Sequence, residues 1–478
     1  VTGPQAERLR LDPAAWTAAH EELVATLRDL VRIPSVNPPP PEAPDGERRV
    51  AEYLAAALAD VGLRPEVAES VPGRASVFAR LHGDGTGGEP LLLLSHLDVV
   101  PAPTDGWTHD PFGADVADGY VWGRGTVDMK QMVAMELMVV RLLARAARAA
   151  GRDPGSDPVP GLRRDVLFCS TADEEAGGHL GAGWLVEHRP DWLRAAAAIN
   201  ECGGVSFEIA GRRFYPIQVA EKGYVVYRLT VRGTWGHGSM PRPDNAAVLA
   251  ARIVDRLAEP LPARVTPVLQ RAIDQLRANL PGPLARRAAE LVDPDPRRAE
   301  RAAEQLCDPS LARALGALLR DTISPNVIRA GVKYNVVPGE ATIELDCRTL
   351  PGTDEATLRA AIRERLGPEL AAACEIEPIN TGRAVEAPLD DPLYELLERT
   401  LRDHDPDGVP LPAIAPWATD AKHTAKLGVP TYGFAPLRLP SEERFLERFH
   451  GVDERVSLEA LRFGLPVLYD VVVNFAGG

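Results

Sequence analysis

Ser170-Thr171-Ala172-Asp173-Glu174-Glu175-Ala176-Gly177-Gly178 follows the apolar run Val166-Leu167-Phe168-Cys169 and breaks off into glycines. Such a run reads as a short buried strand. The turn after it puts acidic side chains where open α/β sheets bind ligands, at the carboxyl ends of strands. Adjacent glutamates there face different ways, so one suits a metal and its neighbour suits a water molecule. Taken alone, an acidic pair in a glycine-flanked loop is usually solvated turn chemistry. The reading therefore depends on what other strand ends carry.

Leu91-Leu92-Leu93-Leu94 is a continuous apolar run, as expected of a parallel strand buried on both faces, and it ends in Ser95-His96-Leu97-Asp98. Residues two apart on an extended segment point to one side, so Asp98 can accept a hydrogen bond from His96 and fix its tautomer for metal binding. A lone His-x-Asp is more often structural. Gly123-Arg124-Gly125-Thr126-Val127-Asp128 leads into a helix expected from about Gln131 to Ala150, and Asp128 reads as an N-cap or as a ligand. Ala195 to Ile199 reads as another buried strand and delivers Asn200-Glu201-Cys202-Gly203-Gly204. Together His96, Asp128, Glu175 and Glu201 are what a pair of borderline-hard divalent ions wants, imidazole and carboxylates with no thiolate. His450, in Phe449-His450-Gly451, offers a second imidazole, although one loop histidine among ten carries little weight by itself.

Composition narrows the partners. With 478 residues the chain exceeds what one core normally serves, and a net charge of -15 repels nucleic acid and acidic membrane surfaces. Small molecules or short peptides fit better. Lysine occurs only at Lys130, Lys222, Lys333, Lys422 and Lys426, so lysine-dependent chemistry has few candidates. Five cysteines without a C-x-x-C pair suit a reduced cytosol, so a cytoplasmic location is expected. No uninterrupted apolar segment reads as a membrane span, and Val1 to Asp12 lacks the layout of a signal peptide.

Helices are expected from Pro13 to about Pro34 behind an Asp12 cap, and over the apolar face Val50, Leu54, Ala57, Leu58 and Val61 up to Gly62. From about Glu221 the period changes, with Val225, Tyr227, Leu229 and Val231 alternating with more polar residues, as in a strand with unlike faces. The domain reading is a catalytic domain over 1–220 and 381–478, with an inserted α+β sandwich over 221–380. Within the insertion, Asn245 to Leu257 reads as a helix and Pro267 to Leu319 as a long helical tract. Asn326 to Val337 and Ala341 to Arg348 read as strands joined by a Pro338-Gly339 turn. The fold class is α/β, with a mixed, mainly parallel sheet in the first domain plus the inserted α+β sandwich.

Ser95-His96-Leu97-Asp98-Val99-Val100-Pro101, Gly123 to Asp128, Glu174-Glu175, Asn200-Glu201 and His450-Gly451 together resemble the dizinc aminoacylase and carboxypeptidase S type amidohydrolases. The resemblance runs in order over nearly the whole chain and implies a zinc-peptidase-like catalytic domain, with the inserted α+β sandwich as a lid or dimerisation domain. It implies two zinc ions, with cobalt or manganese as substitutes: His96 and Glu201 on one, Glu175 and His450 on the other, Asp128 bridging. It makes Asp98 the partner of His96 and Glu174 the general base. His237, in Gly236-His237-Gly238, matches a histidine that stabilises the tetrahedral oxyanion, often across a homodimer. Arg348 and Asn335 match residues that grip a substrate's free carboxylate.

Pro416-Trp417-Ala418-Thr419-Asp420-Ala421 departs from the family pattern, which commonly has glycines before Thr-Asp. Trp417 and Thr419 are therefore expected to shape the substrate pocket. His423 either contacts substrate or packs. The implied activity is hydrolysis of an amide or peptide bond next to a free carboxylate, N-acyl amino acid deacylation first. Carboxypeptidase or dipeptidase action is the alternative, with succinyl-diaminopimelate desuccinylase and a non-catalytic metal-binding protein as rivals.

Overall fold

The computed structural model describes residues 9–39, 44–307, 309–441 and 443–478. Residues 1–8 of the segment read for a leader lie outside them. The chain divides into two compact units. Unit 1 takes in the chain up to Val219, Ala387–Ala413 and Thr419–Gly478; unit 2 comprises Ala220–Glu386 and Ile414–Ala418.

In unit 1, strands Glu66–Val71, Arg74–Leu81, Val166–Thr171, Leu91–His96, Ala197–Asn200 and Thr431–Gly433 lie side by side in that order. The last four run parallel to one another. Leu91–Leu94 and Val166–Cys169 are wholly buried because both faces of the sheet are covered. On one face Leu92, Leu94, Leu167 and Cys169 pack with Phe78 and Trp192, whose rings stack 5.0 Å apart. On the other lies the helix Lys130–Ala149, followed by Pro13–Val31 and the carboxyl-terminal helix Leu458–Gly477. The helix Pro13–Val31 starts where the sequence puts it, with the Asp12 carboxylate accepting from Ala15 N at 2.8 Å. Leu458–Gly477 is long and apolar enough to cross a membrane, but 67% of its apolar window is buried inside the protein, as suits a core helix.

The sheet order creates the site. From Leu91–His96 the chain crosses to Val166–Thr171 on one side and then to Ala197–Asn200 on the other, a topological switch point at the carboxyl end of Leu91–His96. His96 pairs with Thr171 and Leu93 with Ile199, so His96, Glu174, Glu175 and Glu201 all emerge at the same edge.

Unit 2 holds an antiparallel sheet in the order Thr322–Ala330, Glu340–Thr349, Gly223–Arg232, Cys374–Gly382. Val225, Tyr227, Leu229 and Val231 face a core built with Ile343, Leu345, Leu249, Ile253, Leu358 and Ile362, the last four from helices Ala246–Ala258 and Glu355–Ala372. The helical tract resolves into Pro267–Asn279, Gly282–Glu290, Pro296–Leu306 and Pro309–Leu318, each with a proline in its first turn. One expectation fails. Ala330 pairs with Ala341, and Glu340 already pairs with Arg232, so residues 331–339 form a wide excursion rather than a tight Pro338-Gly339 turn. Its reason is a competing pairing, in which Val336–Val337 bonds to Gly236–His237.

Candidate metal centre

His96 stands at the end of its strand, 1% exposed, and its Nε2 lies 3.2 Å from Asp128 Oδ1 and 3.7 Å from Glu201 Oε2. His450 Nε2 lies 3.3 Å from Asp128 Oδ2 and 3.3 Å from Glu175 Oε2. Asp128 therefore turns one oxygen to each imidazole. His96, Asp128 and Glu201 form one triad of donor atoms within 4.8 Å of each other, and Asp128, Glu175 and His450 form a second. The N-cap reading of Asp128 loses, because Met129 holds that position and no side chain caps the helix.

Asp98 is wholly buried and organises the centre from behind. His96 Nδ1 lies 3.0 Å from the Asp98 carbonyl and 3.4 Å from its carboxylate, which turns Nε2 toward the triad. The same carboxylate accepts from Glu174 N at 3.1 Å and Glu175 N at 3.0 Å, capping the short turn Glu174–Ala176. Asn37 donates to it at 2.7 Å, Arg74 donates to Asn37, and Glu47 bonds Arg74 and Asp173 N. None of Asn37, Glu47 or Arg74 is marked by any sequence period, since each reaches the centre through a contact distant along the chain. Lys422 is a different miss: its Nζ lies 3.8 Å from Glu174 Oε1, and lysine's scarcity was the available signal. The adjacent glutamates thus have separate partners, Glu175 with His450 and Glu174 with Lys422.

The electrostatics call for cations. Burial alone would lower His96, but Glu201, Asp128 and Asp98 outweigh it and hold the imidazole well above the usual histidine range. Bonds to Asp128 and Glu175 push His450 up to about 10. Burial pushes Glu201 up to about 7 and Glu174 well above the usual carboxylate range. Burial would also raise Asp128, yet hydrogen bonds from His450 and His96 hold it low. Carboxylates raised by burial beside imidazoles raised by those same carboxylates mark a cluster with too little positive charge of its own. Glu175 Oε1 is buried with no hydrogen-bond partner, so the carboxylate that offers Oε2 to this cluster is left incompletely satisfied. Nitrogen and oxygen donors in two triads sharing one carboxylate fit a pair of divalent ions.

The other expected residues fall in different places. Thr419 and His423 belong to unit 1 and are buried. Thr419 Oγ1 accepts from Asn200 at 3.0 Å, and His423 Nε2 lies 2.9 Å from the Gly177 carbonyl, so His423 packs beneath the glutamate loop. His237, Asn335, Arg348 and Trp417 belong to unit 2. There His237 is exposed with Nδ1 2.8 Å from Ser239 Oγ, and Gly238 N donates to the Asn335 carbonyl. Arg348 meets Asp346 through two nitrogens, at 2.7 and 3.1 Å, and lies over the Tyr224 ring. Trp417 is half-buried.

Residues 92–474 match the family model of Peptidase family M20/M25/M40. The chain belongs to this family. Its M20 relatives include the N-fatty-acyl-amino acid synthase/hydrolase PM20D1 of Xenopus tropicalis, 27% identical over 95% of this chain and 86% of that protein. Aminoacylase-1 of Sus scrofa is 28% identical over 87% of this chain and 86% of its own length. Human carnosine dipeptidase 1 shares the fold, with a TM-score of 0.66 at 17% identity over 99% of both chains. As an M20 member the chain is a hydrolase of amide or peptide bonds, and M20 metallopeptidases depend on metal.

Proposed function

We propose that this chain is a dizinc hydrolase that removes the acyl group from N-acyl amino acids. The observation that carries the reading is the pair of triads sharing Asp128, with Glu174 beside them and paired to a lysine instead of a ligand. His96, Asp128 and Glu201 would hold one ion, and Asp128, Glu175 and His450 the other. When bound, such ions supply Lewis acidity and lower the pKa of water toward neutrality.

The protein's own groups do the rest. Glu174 takes a proton from the attacking water on its carboxylate and returns it to the departing nitrogen. Burial favours its protonated form, which suits a group that must carry that proton between the two steps. Asp98 fixes the His96 tautomer and holds the backbone of both glutamates. His237, exposed with Ser239 beside its Nδ1, is assigned to the oxyanion, Arg348 with Asn335 to the substrate carboxylate, and Trp417 and Thr419 to substrate binding. The names of the PM20D1 and aminoacylase-1 relatives support an acyl amino acid as substrate. A homodimer and a cytoplasmic location belong to the same proposal; the free cysteines support the latter and light scattering tests the former.

Zinc-loaded protein incubated with N-acetyl amino acids, long-chain N-acyl amino acids and dipeptides, with products read by mass spectrometry, tests the substrate class. Free amino acid released from the acylated compounds is the expected result. Cleavage confined to dipeptides would replace deacylation by peptidase action.

A further inference from the structure

Two buried charges take no part in the chemistry above. Arg124 is 1% exposed and Glu454 is wholly buried, and Arg124 donates from Nη1 to Glu454 Oε2 at 2.6 Å. Removing both charges from water is expensive, and an ion pair of this kind seldom gains over apolar packing, so its presence asks for a role in fixing geometry. Its remaining bonds supply one. Glu454 Oε1 accepts from Val127 N at 2.7 Å and from Asp128 N at 3.2 Å, gripping the backbone of the residue shared by both triads. Arg124 Nη2 donates to the carbonyls of His450 at 3.4 Å and Pro101 at 3.3 Å.

His450 needs such a hold. Its side chain is 54% exposed and its backbone lies at a φ of 57°, so neither packing nor ordinary backbone preference fixes the imidazole. A short antiparallel pairing adds to the clamp, with Arg455 opposite Trp122 and Gly123 N donating to the Glu454 carbonyl at 2.9 Å. Segments more than three hundred residues apart in sequence are thereby locked together, each carrying one ligand of the second triad.

The geometry assigns to the Arg124–Glu454 pair the positioning of Asp128 and His450, so that the Asp128, Glu175 and His450 triad would bind its ion at full affinity only while the pair is intact. This rests on the metal-centre reading. The two triads are affected unequally: the second has two ligands tied to the pair, whereas the first has Asp128 alone.

The test is metal affinity, measured by chelator competition on the zinc-loaded full chain. Loss of a supporting partner of this kind typically lowers affinity about 10–100-fold. In Glu454→Gln one equivalent is expected to weaken by that factor, and to be the same equivalent that His450→Ala loses, while the other stays within about threefold of wild type. Arg124→Lys, which keeps the charge but lacks the fork, is expected to fall between, and it supplies the readout if Glu454→Gln does not fold. Wild-type affinity at both sites in a folded variant overturns the assignment. So does equal weakening of both equivalents together with a lower Tm, which marks a merely structural pair. Wild-type protein that takes up no metal refutes the metal-centre reading itself, and the assignment with it, before any variant is compared.

Discussion

Glu136 offers a quantitative test of how dry the layer behind the metal centre is. It lies on the helix Lys130–Ala149, is wholly buried, and neither carboxyl oxygen makes a well-formed hydrogen bond. Burial pushes its pKa up to about 8, against a smaller opposing pull from the Ser95 hydroxyl. The folded state therefore holds a proton that the unfolded chain releases near pH 4.5. Between those values the unfolded chain is ionised and the folded chain is not, so stability falls as pH rises through the window. At about 1.4 kcal/mol per pH unit the cost grows from nothing below pH 4.5 to about 5 kcal/mol above pH 8, an upper bound because the site can relax. Glu136→Gln keeps the shape and cannot ionise. Its constant offset, an amide buried in place of an acid, cancels when the variant is compared with wild type at two pH values. Cys169, on the adjoining strand of the sheet, feels the charge at Glu136, but burial keeps its thiol neutral through the window. Thermal unfolding at pH 5 and pH 8.5 should show the variant gaining on wild type by several degrees at the higher pH. A difference that does not change with pH would refute the reasoning, because Glu136 would then be ionised or watered in the folded protein.

Three further outcomes follow from the same centre. A Cβ at Gly203 would lie 1.7 Å from the Gly433 carbonyl, so Gly203→Ala should displace the Glu201 turn, costing about 1–3 kcal/mol in thermal unfolding and lowering metal content. Asn37→Ala removes the amide bonded to Asp98 and should weaken zinc binding about 10–100-fold by chelator competition. Lys422→Met takes away the cation beside Glu174 and should lower kcat several-fold at unchanged metal content, with Lys422→Arg restoring most of it.

How much of this was legible depends on the range of the interactions. Leu91–Leu94 and Val166–Cys169 declare a doubly covered sheet because burial on both faces leaves no room for alternation, and Val225 to Val231 declare a one-sided sheet through their period of two. His96, Glu175 and Glu201 could be placed at one edge because each follows such a strand. Asp128 was ambiguous locally, since cap and ligand share the same position before a helix; only the direction of its carboxylate decides. The Pro338-Gly339 turn was misread because the chain nearby pairs with Gly236–His237, a contact no local pattern encodes. The supports Asn37, Arg74, Glu47 and the Arg124–Glu454 pair were invisible for the same reason, and Lys422 needed the fold to bring it to Glu174.

The central claim is that Glu174 moves the proton in a metal-dependent amide hydrolysis. The most direct measurement compares hydrolysis of one N-acyl amino acid by wild type and Glu174→Gln at matched zinc content. The account predicts that the variant retains its metal and loses about 10²–10⁴-fold in kcat. A fully metallated Glu174→Gln that turns over within about tenfold of wild type, well short of that loss, would contradict it.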